Sequence, residues 1–369
     1  MKRKIGVLHI LPSVRGYGAE RIVIELLRRL ESDRIEPSLL TIYETPASTR
    51  DDLNFPVANA GRNGRRDRLF LWKVVREIRR RKPDVVHTHT HVGKYWGRLA
   101  ALLAGTRKIV HTEHNPCDFR RSRTEHVADW LLHRFTSRVV TFFREQGTAL
   151  VEFEGLPERK LVLIPNGLTN GTGGTRAAAR DRLGLRSDQF AIVLIGRMEY
   201  QKNHILALRA FAALDREVAK NCYLFFAGSG DQEIVLRGLS EALNVSDRVR
   251  FLGYRNDVAE ILPGMDLLLM TSWFEGMPLA LIEAMLAGVP IVSTPWLGAR
   301  SMLADGRYGF LTAGFDPLQV AVEMERAIAH PSIRLEMAKR AKQHVGETYD
   351  LSNMVEAHHD MYLELCGAS

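Results

Sequence analysis

Cysteine is scarce in this chain of 369 residues: Cys117, Cys222 and Cys366 are far apart and odd in number. That argues against a disulfide framework and for a reducing compartment, and none of the three sits at a metal-type Cys/His spacing. Long apolar runs are missing too. No window of ~18 apolar residues exists, which excludes a transmembrane helix. Met1-Lys-Arg-Lys followed by Ile5–Pro12 has the outline of a signal peptide, but the apolar run is short, holds His9 and lacks a small-residue cleavage site. A first strand is the expectation there. Acidic charge is in deficit, 43 Asp+Glu against 51 Lys+Arg, for a net of +8. Residues 62–82 hold ten Lys/Arg against Asp67 and Glu77, an excess equal to that of the whole chain. With no aromatic interleaving beyond Phe70 and Trp72, and no known nucleic-acid motif, nucleic acid is not expected as a partner.

The length suits two domains, and the 46% hydrophobic content is that of a globular protein. Apolar runs at 4–11, 38–43, 84–89, 108–113, 138–143 and 161–164 read as strands. A second series at 190–195, 223–227, 249–253, 265–270, 291–293 and 309–311 follows a Gly-rich linker, Asn170–Thr175. Helical spacing between them, as at Leu71, Val74, Val75 and Ile78 in 65–81, makes an α/β alternation in both halves. Two doubly wound parallel sheets are therefore expected, facing a cleft. The domains are 1–170 and 176–350, with a final helix, about 352–365, crossing back to the first. Residues 44–64 read as polar and irregular.

The chemistry-bearing residues cluster after strands. Gly16 and Gly18 precede the first helix, but Arg21 stands where a dinucleotide fingerprint needs its third Gly, so a nicotinamide site is not supported; a glycine loop feeding a helix N-terminus still cradles anions. Gly228-Ser-Gly230 is incomplete in the same way, Glu233 replacing the last Gly. His87, His89 and His91 alternate along an extended segment and share a side; no carboxylate lies near them in sequence, so structural histidines are expected rather than a metal site. Arg120, Arg121 and Arg123 on a loop suit an anionic acceptor. Gly196-Arg197 and Lys202 follow a strand, a planar fork and a point charge suited to two phosphates. In 271–292, Pro278 suits a helix start and Gly288 with Pro290 its end. Between them the helix is apolar on every face except at Glu283. Glu275 lies eight residues earlier, ~12 Å along the axis at helical rise. That exceeds the roughly 5–9.5 Å of a glycosidase carboxylate pair and suits the two ends of an extended ligand with a diphosphate in its middle. A solvated loop Glu and a helix Glu bonded to neighbouring backbone would fit the spacing equally.

Phe274-Glu275-Gly276…Glu283-Ala284 resembles the Glu-x7-Glu motif of the retaining nucleotide-sugar glycosyltransferases of family 4, which have the GT-B fold. The likeness extends over nearly the whole chain: Asp84-x-x-His87-x-His89, Pro165-Asn166-Gly167 and Gly196-Arg197…Lys202-Asn203 have family counterparts. Thr169 stands where an Asp usually follows Pro-Asn-Gly. The resemblance implies transfer of a sugar from a nucleoside diphosphate, with UDP the commonest donor, to a glycan, lipid-linked or small-molecule acceptor. It implies Arg197 and Lys202 on the diphosphate, Glu275 on sugar hydroxyls, Glu283 on ribose, and His114 beside the donor sugar. Gly16, Gly18, Asn166, Gly228, Tyr254, Arg255, Gly276, Met277, Pro278 and Leu279 would complete the donor site. The nucleotide sugar is a co-substrate, and no cofactor is implied. With no Asp-x-Asp in the chain, no metal is expected. Arg65, Arg68, Trp72, Arg76 and Arg79 share one face of the helix read at Arg65–Arg81, either a solvated face or a dock for an anionic membrane at the cytoplasmic side. The rival functions are a nucleotide-sugar epimerase on the same fold and an inactive sugar-nucleotide-binding protein.

Overall fold

The computed structural model describes residues 3–14, 18–45, 52–62, 64, 67, 69–115, 123–169 and 173–368. They form two compact units, 1–167 with 351–369, and 168–350.

The first unit holds a seven-stranded sheet. Its strands are β1 (Ile5–Leu11), β2 (Ile35–Tyr43), β3 (Val57–Arg62), β4 (Val85–His89), β5 (Ile109–Thr112), β6 (Arg138–Thr141) and β7 (Leu161–Leu163). All pairs are parallel, in the order β3-β2-β1-β4-β5-β6-β7. The central strands are near-continuous buried runs, as helices on both faces of a parallel sheet require. Its helices include α1 (Gly18–Leu30), α2 (Phe70–Arg81), α3 (Arg98–Ala104), α4 (Arg123–Phe135) and α5 (Arg144–Glu154).

The second unit has six parallel strands: β8 (Phe190–Ile195), β9 (Cys222–Ala227), β10 (Val249–Gly253), β11 (Leu267–Met270), β12 (Ile291–Ser293) and β13 (Phe310–Leu311). They run β10-β9-β8-β11-β12-β13, with α6 (His204–Ala212) and α7 (Leu279–Ala287) among the helices packed around them. The last helix, α8 (Leu351–Cys366), belongs to the first unit. In each sheet the winding reverses once, between β1 and β4 and between β8 and β11. Open α/β sheets bind ligands beyond the strand ends at such reversals.

Three expectations change. The stretch 44–64 is not wholly irregular, because Val57–Arg62 pairs with β2 as an edge strand. Its Asn, Ala and Gly are depleted in strands, and one-sided pairing leaves only a weak apolar pattern. The basic helix starts at Phe70, not Arg65; Asp67 accepts from the Leu69 N–H just before it. Arg65 and Arg68 lie outside the described residues. His91 does not continue the alternation of His87 and His89. Thr90 turns the chain at φ 59°, a strained position for a β-branched residue. His91 then sits exposed on a short helix against Tyr95.

A π-helical turn, Gly93–Gly97, follows, and Lys94 on it and Arg98 at the start of α3 are buried at 1% exposure. The Lys94 ammonium lies 2.8 Å from both Glu113 and Glu154 and 3.4 Å from Asp129. Arg98 stands 3.5 Å from Asp129, and His133 donates to Glu154 at 3.1 Å. Buried charges of this kind hold only as a complete set. Lys94→Met should therefore cost about 3–5 kcal/mol by leaving the carboxylates uncompensated. Urea unfolding checks this, and a loss below ~1 kcal/mol would show the network to be dispensable.

Candidate functional site

In the second unit two loops leave the C-terminal ends of β8 and β11, the strands on either side of the reversal. Backbone zips them together: the Trp273 N–H donates to the Gln201 carbonyl at 2.9 Å. The Thr271 hydroxyl spans the carbonyls of Lys202 and Asn203 at 3.1 and 3.0 Å. Asn203, at φ 50°, caps α6 by accepting from the Leu206 N–H. This frame places Lys202 Nζ 2.6 Å from Glu275 Oε1. The same oxygen accepts from Ser272 Oγ at 2.6 Å, and Gln201 Nε2 reaches Oε2 at 3.3 Å. Glu275 is only 4% exposed, and these donors make a buried carboxylate tolerable.

Arg197 sits on the turn just after β8, half-exposed, 2.9 Å from Glu199. That turn needs Gly228 for close approach: a Cβ there would meet the Gly196 carbonyl oxygen at 1.9 Å, and φ is 157°. Gly276, Met277, Pro278 and Leu279 are buried beneath the loop. Pro278 is extended, at ψ 121°, and precedes the helix, which starts at Leu279 instead. Gly288 ends it at φ 72°, and Glu283 is half-buried on it. After β10, Tyr254 is exposed, while Arg255 grips Asp257, which also takes Arg182 at 3.0 Å. Arg197, Lys202 and Glu275 thus lie on loops of adjacent strands. The partners Glu199, Gln201, Ser272 and Asp257 were not read from the sequence. Ordinary polar loop residues carry no signal until the loops are paired.

The remaining candidates belong to the first unit. Gly18 opens α1, exposed; Gly16, Arg120 and Arg121 lie outside the described residues, as does the side chain of Arg123. Asn166 is buried, and the following Gly167 N–H donates to Met354 Sδ on α8 at 3.3 Å. His114 stands just past β5, half-buried, with Nε2 3.1 Å from His89 Nδ1. Register does the rest: His9 on β1 is paired with His87 on β4, across the reversal of this sheet. His9, His87 and His89 have ring nitrogens within 4.8 Å of one another, a spacing a metal ion could bridge. Both nitrogens of His87 already face hydroxyls, Tyr362 and Thr112, and His9 and His89 face each other at 2.9 Å. In the second close trio, Asp129, His133 and Glu154, both carboxylates face the Lys94 ammonium. Burial holds His9 and His114 down to about 3, His111 and His358 to about 4, and His87 and His89 well below the ordinary value.

Residues 175–344 match a family model described as glycosyl transferases group 1, and residues 17–169 one described as glycosyltransferase family 4. Among characterised proteins, the chain is similar to the UDP-Gal:alpha-D-GlcNAc-diphosphoundecaprenol alpha-1,3-galactosyltransferase of Escherichia coli. The two are 24% identical over 380 residues, covering 99% of this chain and 97% of the other. Among solved structures, Anabaena HepE, crystallised with UDP and glucose, superposes with a TM-score of 0.85 at 22% identity, covering 98% and 100% of the two chains. WaaG, a glycosyltransferase of lipopolysaccharide biosynthesis, does so with 0.78 at 20% identity, covering 96% and 99%. The fold is GT-B.

The neutral histidines make the first unit acid-labile. A histidine whose folded pKa is depressed stabilises fully above its unfolded value near 6.5, and that stability drains away as pH falls below it. One unit below, each such ring costs about 1.4 kcal/mol. Six of them together exceed a few kcal/mol, so melting at pH 5.5 should fall at least ~10 °C below that at pH 7.5. Identical melting at the two pH values would mean that the rings are not held neutral by burial.

Proposed function

Since the chain belongs to the group 1, family 4 glycosyltransferases, we propose that it transfers a hexose from a UDP-sugar to a lipid-linked or other glycan acceptor, with retention at the anomeric carbon. The observation that carries this reading is the Lys202–Glu275 pair at the sheet reversal, with Arg197 on the adjoining turn. A cation pair followed directly by a carboxylate suits a diphosphate followed by a sugar. Arg197 and Lys202 neutralise the charge that builds on the leaving diphosphate, Glu275 orients sugar hydroxyls, and Glu283 holds the ribose. The bond from anomeric carbon to phosphate oxygen breaks, and the acceptor oxygen bonds to the same face of that carbon. The acceptor's proton passes to the departing phosphate. Glu275 is committed to Lys202 and Ser272, which suits orientation better than nucleophilic attack. Side-chain cations take the role a divalent metal plays in other phosphoryl chemistry. The second unit binds the donor and the first the acceptor; neither rival function draws support from the relatives.

Mutants separate these roles. Lys202→Ala should lose at least ~2 kcal/mol of transition-state stabilisation, read from kcat/KM. Glu283→Gln should weaken UDP itself, whereas Glu275→Gln should leave UDP binding nearly intact and damage transfer. A thermal-shift panel of nucleotides and nucleotide sugars identifies the donor by linkage. Turnover of Lys202→Ala within threefold of wild type would remove the clamp assignment.

The acceptor's partner surface is α2. Trp72, Arg76 and Arg79 are exposed on it, opposite the buried Val74, Val75 and Ile78. Arg79 donates to the Leu103 carbonyl at 2.7 Å, which holds it near the surface. No helix among the described residues is long and apolar enough to cross a membrane. Peripheral docking at the cytoplasmic face therefore fits a lipid-linked acceptor, each Lys/Arg adding ~1 kcal/mol near anionic lipid. The chain should co-sediment with anionic vesicles and be released by high salt. Arg76 and Arg79 changed to Glu should abolish this; indifference of wild type to such vesicles at low salt would point to a soluble acceptor.

A further inference from the structure

Gln201 lies between Tyr200 and Lys202 on the loop after β8, half-buried, and the function proposed above gives it no role. It grips three consecutive residues of the loop after β11. Its backbone carbonyl accepts from the Trp273 N–H at 2.9 Å. Its side-chain Nε2 donates to the Phe274 carbonyl at 3.0 Å and to Glu275 Oε2 at 3.3 Å. A carbonyl and an ionised carboxylate only accept, so the N–H side of the amide must face them and the amide cannot turn over. The two loops leave neighbouring strands, β8 and β11, so the grip closes one directly onto the other.

Glu275 needs that grip. Lys202 Nζ and Ser272 Oγ both approach its Oε1, each at 2.6 Å. Among the described residues Gln201 is the one donor to Oε2. The last torsion of a Glu side chain has broad, roughly two-fold wells, and an ammonium is a point charge with rotating donors. Two donors on one oxygen therefore hold that oxygen in place and leave the carboxylate plane free to swing about it. The donor on the second oxygen fixes the plane. A neutral amide does this without disturbing the one-to-one charge balance of Lys202 and Glu275. A carboxylate of the same shape could not, because it would set acceptor against acceptor and like charge beside like.

We propose that Gln201 is the positioning residue of the second unit's site. It fixes the plane of the Glu275 carboxylate and closes the loop after β11 onto the loop after β8, so that Glu275 offers sugar hydroxyls one orientation only. Gln201 acts through Glu275 and leaves nucleotide binding to the other groups. The inference rests on the reading of Glu275 as the group that orients those hydroxyls.

Two variants of the full chain, Gln201→Met and Gln201→Glu, test it, with UDP, UDP-glucose and UDP-galactose as probes. In Gln201→Met the kcat for whichever sugar nucleotide is turned over should fall at least about tenfold, the scale of one lost hydrogen bond, with UDP affinity within about twofold of wild type. A kcat within about twofold of wild type overturns the proposal. So does an equal loss of kcat and UDP affinity, which makes Gln201 merely structural. Gln201→Glu sets a carboxylate against Glu275, whose charge raises the pKa of the introduced group. Its protonated form regains an O–H donor, so its kcat relative to wild type should climb severalfold as pH falls from 8 to 6, while that of Gln201→Met stays level. Equally flat ratios in the two variants overturn the proposal. Hydrogen exchange of residues 271–277, read with no ligand, needs no turnover: it should be at least about tenfold faster in Gln201→Met, and unchanged exchange overturns the grip. If Gln201→Met does not fold, Gln201→Glu decides, since pH alone restores or removes its donor. A wild type that binds no UDP and turns over neither sugar, with exchange quickened in the variant, keeps the grip and overturns the function proposed above.

Discussion

The Lys202–Glu275 pair is the interaction on which the second unit's site depends. A carboxylate at 4% exposure is costly without donors, and here the donors come from two loops seventy residues apart. They meet because β8 and β11 are neighbours in the sheet and the Thr271 hydroxyl ties one loop to the other's carbonyls. The pair is thus a consequence of strand order. Gly228 serves the same end from the next strand over, because only a residue without Cβ lets the loop after β9 close on the turn that carries Arg197.

The first unit repeats the topology with opposite electrostatics. At its reversal stand neutral imidazoles rather than an ion pair. Burial strips them of protons, and hydroxyls replace the water they lose. Beside them the Lys94 network concentrates buried charge, with cations and carboxylates each satisfied only by the others. Neither arrangement is an efficient route to stability, since apolar packing of similar volume often does as well. Both orient side chains within a few ångströms of His114 and Glu113.

Strand existence was legible throughout most of the chain, because parallel strands buried on both faces need continuous apolar runs, and Phe190–Ile195 and Ile291–Ser293 show them with no interruption. The edge strand Val57–Arg62 is not legible, since it pairs with a single neighbour and its Asn, Ala and Gly leave only a weak apolar pattern. The start of α2 at Phe70 is not marked in the sequence, because basic residues at helical spacing read alike in a helix and in the segment before it.

Arg197, Lys202, Glu275 and Glu283 could be named from the chain because each sits at a fixed offset from a strand end or a helix start, and local chemistry marks such positions. Who touches whom could not be read there. His9 and His87 are joined by strand register, Tyr362 reaches them from a helix 275 residues beyond His87, and the turn at Thr90 sends His91 away from the side that alternation assigns it with His87 and His89. Local periodicity determined the elements and their chemical endowment; only the tertiary structure decided the pairings, because a hydrogen bond or ion pair depends on distance in space and the sequence records distance along the chain.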